Sequence, residues 1–164
     1  MTISITFGAA NHGWLPCRLS VNQQEFDLSV SYTPNDFILD LVNALSGALT
    51  WEGTYVAMAN QEPVQSDWVF NRAPNGLVFS TIQYSDHRRG RGNGRKLAEC
   101  SGDLLEIALP FWRALRELDT RWRGEHFEMH WRRPFPSSDL EKLTAEVERL
   151  KRESRSKKQS SKGD

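Results

Sequence analysis

An α+β fold built on a mainly antiparallel sheet is predicted by two hydrophobic periods sharing one chain. In the first thirty residues apolar and polar side chains alternate, the period-two signature of strands buried on one side. Between residues 37 and 49, and again after 103, apolar residues recur every three to four positions, as one face of an α-helix requires. Turn residues between the strand-like runs set them at hairpin spacing, which favours antiparallel pairing.

Element by element, Thr2 to Phe7 places Ile3, Ile5 and Phe7 on one face of a first strand. Gly8 to Gly13 is loop. Leu15 to Val21 and Glu25 to Tyr32 make a hairpin around Asn22-Gln23-Gln24, with Phe26, Leu28, Val30 and Tyr32 inward and Glu25, Asp27, Ser29 and Ser31 outward. Thr33-Pro34-Asn35-Asp36 then reads as an N-cap, a proline at the first helical position and an acid near the positive helix end. Phe37/Ile38, Leu41/Val42, Leu45 and Ala48/Leu49 form the stripe of that helix, which Gly53 stops.

Three further strands are predicted at Thr54 to Ala59, Asp67 to Asn71 and Leu77 to Ser85, with Pro74-Asn75-Gly76 as the turn between the last two. The glycine- and arginine-rich run His87 to Gly94 reads as a hairpin tip returning through Arg95 to Cys100. Ser101-Gly102-Asp103 caps a second amphipathic helix bearing Leu104, Ile107, Ala108, Phe111, Leu115 and Leu118, which Pro110 should kink or split. Glu125 to Trp131 reads as one more strand. Ser138 with Glu141 forms a capping box for a last helix with the narrow stripe Leu140, Leu143, Val147 and Leu150. The predicted organisation is a mixed, mainly antiparallel sheet with two helices on one face over residues 1–123, a strand-helix extension over 124–150, and a disordered basic tail over 151–164.

Six Trp and eight Phe supply enough apolar area for a core of this size, although hydrophobic residues make up only 38% of the chain. No run approaches the length a membrane span requires, and Met1 to Gly13 lacks the pattern of a secretory leader. Cys17 and Cys100 are too few for a disulfide framework and read as buried thiols. The expected setting is the cytoplasm. The formal net charge of zero conceals an asymmetry. Residues 1–85 carry Arg18 and Arg72 against seven acids, 2 − 7 = −5, and residues 86–164 carry the remaining 19 bases and 14 acids, +5. The first half suits a basic partner and the second an acidic one, or the two halves attract each other.

Three segments together carry a family likeness: Phe7-Gly8-Ala9-Ala10-Asn11-His12-Gly13-Trp14-Leu15-Pro16, Tyr32-Thr33-Pro34-Asn35-Asp36 with its helix, and Gly102-Asp103-Leu104-Leu105 running to Phe111-Trp112. In these the chain resembles small bacterial α+β proteins of the kind found as immunity proteins beside polymorphic toxins. The resemblance implies a non-catalytic protein that binds and blocks a partner. Residues from about 121 onward lie outside it.

Candidate sites fall into three groups. Asp36, Asp40, Glu52, Glu62 and Asp67 lie near Trp51 and Trp68 in sequence, and acids ringing exposed indoles would suit a surface that caps a basic protein. The competing reading places both indoles in the core. Arg88, Arg89, Arg91, Arg95 and Lys96 concentrate positive charge on one loop and, with the tail, support an alternative nucleic-acid-associated function. The loop lacks the stacking aromatics of a nucleic-acid module and the Lys-Ser/Thr of a phosphate-binding loop, so a solvated hairpin tip competes with it. On a strand, His126, Glu128 and His130 would share one side and could hold a metal ion; a polar outer face explains them without one, and no metal or other cofactor is expected.

No Gly-x-Ser-x-Gly, His-Glu-x-x-His or recognisable cysteine nucleophile motif occurs, and His12 stands alone in its loop. The sequence therefore points to a non-enzymatic protein-binding domain, with no catalytic residues expected. A toxin is the partner the resemblance implies. The last helix either packs on its own domain or pairs with a second copy.

Overall fold

The computed structural model describes residues 2–86, 93–122 and 125–160. Three strands, β1 (Ile3–Phe7), β2 (Trp14–Val21) and β3 (Gln24–Ser31), form an antiparallel sheet in chain order. Asn22 and Gln23 turn the β2–β3 hairpin, both at positive φ (49° and 71°), the geometry that matches the right-handed twist of the flanking strands. A second antiparallel sheet holds β4 (Gly53–Asn60), β5 (Gln65–Ala73), β6 (Gly76–Tyr84) and β7 (Arg95–Gly102), again in chain order. Pro74 and Asn75 close β5 onto β6, with Ala73 opposite Gly76.

The α+β class stands, but the strands divide into two sheets instead of joining in one. Helix α1 (Phe37–Thr50) lies between them in the chain and packs on β4, so the path from β3 to β4 crosses a layer before the next strand begins. The sheets meet instead through side chains. Asn60 donates to the Thr33 carbonyl, Asn35 to the Met58 carbonyl (2.9 Å), and Asn22 to the Glu99 carbonyl (3.3 Å).

The helices are α1, α2 (Leu104–Arg121), α3 (Glu125–Trp131) and α4 (Ser137–Ser160). Inward residues of both sheets and the apolar faces of all four helices share one core, centred on Trp68, Phe37, Phe70, Phe79 and Phe111. Their rings meet edge-on or tilted at 4.9–6.1 Å, the range in which aromatic pairs attract beyond their buried area. No described helix is long and apolar enough to cross a membrane.

Five local expectations are corrected. Helix α1 is capped by Asp36, not Thr33, because Asp36 is extended and its carboxylate receives the Ile38 and Leu39 amides. Helix α2, capped by Asp103 in a reciprocal box with Glu106, runs through Pro110 without a break. Burial of Ile107, Ala108, Phe111, Trp112, Ala114, Leu115 and Leu118 on either side of the proline outweighs its missing N–H. Residues 125–131 are helical, not a strand. Phe127 and Trp131 are buried four apart while Met129 between them is 62% exposed, which a helix allows and a one-sided strand does not.

Ser138 lies inside the first turn of α4, where Leu140 already donates to the Pro136 carbonyl, so it does not act as the cap. The fifth correction is the tail, where α4 continues over residues 151–160 to Ser160. Pairs one turn apart support it, Arg149 with Glu146 and Glu153, and Lys151 with Glu148, while Lys157 and Lys158 meet the negative helix end. The stripe Leu140, Leu143 and Val147 packs on this domain's own core.

Candidate functional site

The acids and indoles grouped in sequence separate to opposite ends of α1, about 21 Å apart for 14 residues. At the N-terminal end Asp36 does structural work. Its Oδ1 accepts from the Ile38 and Leu39 amides (3.2 and 3.4 Å) and from the Trp131 indole N–H (3.1 Å). Asp40, half-buried in the first turn, accepts from Asn35 Nδ2 at 2.6 Å, and Asn35 also reaches the Met58 carbonyl. Glu62 is exposed; it accepts from the Thr33 hydroxyl (3.4 Å), and its amide donates to Asn60 Oδ1 (3.3 Å). This end is a polar knot tying α1, α3 and β4 together, with most of its hydrogen-bonding groups used internally.

Two members of the predicted set belong elsewhere. Trp68 is fully buried against Phe37, Phe79 and Phe111, which removes it from any surface contact. The reason lies in the strand register. Trp68 stands opposite Ala57 and Thr81 on the face of the second sheet that the helices cover. Asp67 points to the other face but is only 6% exposed, and its Oδ1 accepts from Gln65 Nε2 at 3.1 Å. It too is withdrawn from solvent.

The C-terminal end of α1 is built in the opposite sense. Trp51 is the C-cap, and its amide donates to the Gly47 carbonyl (2.9 Å). Its own carbonyl accepts from the Tyr55 hydroxyl (3.2 Å). The Tyr55 ring lies against Gly47, where any side chain would collide with it. The backbone at this corner is therefore clamped between helix and strand, while the indole it carries is 72% exposed. Glu52 beside it is exposed, and Val56, on the outward face of β4, is 39% exposed. Arg72 stands opposite Gly53 in the ladder. Its Nε is buried without a hydrogen-bond acceptor among the described residues. A braced corner thus presents an exposed indole and a carboxylate at the surface, with the Arg72 Nε buried beneath them. Trp51 and Glu52 are legible in the sequence; the place of Arg72 depends on the β4–β5 register, and the clamp formed by Gly47 and Tyr55 on the packing of α1 against β4.

Of the basic set, Arg88, Arg89 and Arg91 lie outside the described residues. Arg95 donates to Gln83 Oε1 (3.4 Å), and Lys96 is paired with Glu99 at 2.5 Å. On helix α3, Glu128 leaves the face shared by His126 and His130, since two residues turn a helix by about 200°. The three-ligand face expected of a strand is not formed. No group of three or more His, Cys, Asp or Glu side chains placed to hold a metal occurs among the described residues. Both thiols are buried. Burial and then the nearby Asp27 charge push Cys17 well above the ordinary thiol range, and burial, followed by Glu99, pushes Cys100 up to about 11.

No protein-family profile and no curated protein sequence matches the chain. Among solved structures it is similar to a chain of the CdiA-CT/CdiI toxin and immunity complex from Enterobacter cloacae, with 13% identity and a TM-score of 0.47 over 71% of this chain and 99% of that one.

Proposed function

We propose that this chain is a non-enzymatic protein-binding domain that meets its partner through the Trp51 corner, and that it acts as an immunity or antitoxin-like factor occluding that partner. The observation carrying this reading is the 72% exposure of Trp51 on a backbone clamped by Gly47 and Tyr55. An exposed indole loosely held would lose entropy on binding. One whose backbone is fixed loses less, and burying its exposed area of roughly 150 Å² is worth on the order of 3 kcal/mol. Trp is among the residues that most often dominate interfaces. Exposed Glu52, in the half of net charge −5, favours a basic partner. The immunity role rests on the likeness of the three sequence segments.

The test places a photo-crosslinking residue at position 51 in cells, with position 29 on the polar outer face of the first sheet as control. A discrete protein adduct from 51, absent from 29 and weakened by Glu52→Lys, supports the reading. Its identified partner, made in the same cells, should arrest growth unless the wild-type chain is present, and Trp51→Ala should rescue poorly. An adduct removed by nuclease would favour the nucleic-acid alternative. Absence of any adduct specific to position 51 would overturn the placement.

A further inference from the structure

We propose that His126 and His130 form a two-imidazole clamp on α3 for a late first-row divalent cation of the copper, nickel or zinc class. The residues stand four apart, one helical turn, so both rings project from the same side of α3. Their rings are in contact, with centroids 4.7 Å apart at an interplanar angle of 66°, so the two imidazoles occupy one patch beside the helix. No hydrogen bond or ion pair among the described residues engages either imidazole, so the ring nitrogens are open to a ligand. His126 is exposed and His130 half-buried, leaving an approach from solvent.

The rings are held, not dangling. His126 lies flat on Trp122, with centroids 5.2 Å apart and planes 6° from parallel. The next residue after His130 is Trp131, fully buried and bonded to Asp36, and the His130 carbonyl accepts from the Gly13 amide at 2.7 Å. The helix carrying the pair is therefore fixed at its C-terminal end to two other parts of the core. Imidazole is a favoured ligand of copper, nickel and zinc, whereas magnesium and calcium select oxygen. Two protein ligands leave the other coordination positions to water or to a partner's side chain.

The stack supplies a reporter, because a paramagnetic ion on His126 would sit against the Trp122 ring and quench its fluorescence. Titration of the full chain with copper(II) or nickel(II) should give saturable binding of one ion by calorimetry, accompanied by partial quenching. His126→Ala and His130→Ala should each weaken binding by about tenfold or more. His12→Ala should leave it unchanged, and Trp122→Phe should abolish most of the quenching while the ion still binds. Equal affinity in wild type and either α3 variant, or loss of binding in His12→Ala, would overturn the assignment. Binding that never saturates, as surface histidines give adventitiously, would do the same.

Discussion

The two ends of α1 are alike in composition and opposite in fate. Each brings an indole near a carboxylate, Trp131 with Asp36 at the start and Trp51 with Glu52 at the finish. At the start, the carboxylate also caps the helix, the indole is fully buried, and Asn35, Asn60 and Thr33 spend their polar groups on neighbouring backbone and side chains. At the finish, only the backbone is tied down, and the indole faces water. What separates a structural Trp–acid pair from an interface pair is thus where the hydrogen bonds go. Groups satisfied within the fold stabilise it, and groups fixed in place but unsatisfied are available to a partner.

The largest effect that could break this contrast is on the buried side. Trp131→Ala removes a fully buried indole and leaves Asp36 short of one donor, and should cost about 3–5 kcal/mol in urea unfolding. A loss under about 1 kcal/mol would show that α3 is not integral to the core. Next comes Asp36→Ala, which deletes the cap and strands the Trp131 N–H. It should cost about 2 kcal/mol. Asp36→Asn keeps an acceptor oxygen and should recover more than half of that loss, so equal destabilisation by both variants would mean that charge, not the bonds, matters there.

Much of this fold is legible from hydrophobic period alone. All seven strands and three of the helices fall where alternation or three-to-four spacing places them, because those elements bury one side of themselves. Helix α3 reads as a strand because Phe127, Met129 and Trp131 satisfy a strand pattern as well as they satisfy a short helix; the exposure of Met129 decides between them. Thr33 and Asp36 are both good capping residues, and the cap falls at Asp36 because the helix begins at Phe37, with the Trp131 indole, 95 positions away, sharing the same oxygen. The burial of Trp68 depends on strand register, and the division into two sheets on the layer that α1 crosses between β3 and β4; local pattern is blind to both. Trp51 and Glu52 were visible as candidates, but nothing local distinguishes an outward indole from an inward one. The extent of α4 was hidden for a different reason. Its last turns bury almost nothing, and charge pairs support only their start, through Glu153 and Lys151, so composition alone reads the segment as disorder.

The exposed end provides the complementary, smaller effect on stability. Trp51→Ala should change the unfolding free energy by no more than about 0.5 kcal/mol, the ordinary range for a surface substitution. If the corner is an interface, the same change should weaken partner binding by about 2 kcal/mol or more. Stability lost without binding lost would invert the assignment of the two ends.

Near neutral pH the least effect is expected from the thiols, which ask the same inward-or-outward question of the sheets. Burial raises the Cys100 pKa to about 11, so the fold favours the neutral thiol, whereas an unfolded thiol ionises near about 8.5. The sign follows from proton binding. Below about 8.5 both states hold the proton and the contribution is fully present; above it the unfolded chain releases its proton first, and stability declines as pH rises towards about 11. Cys17, pushed up further by burial and by Asp27, adds to the decline in the same direction. Unfolding measured between about pH 8 and 11 should therefore show an alkaline loss that Cys100→Ala and Cys17→Ala each reduce. A thiol reagent at pH 8 should label either residue slowly until the chain is denatured. Rapid labelling of the folded protein would mean that the sheet around these residues opens readily, and a core that loose could not hold Trp51 fixed at its edge.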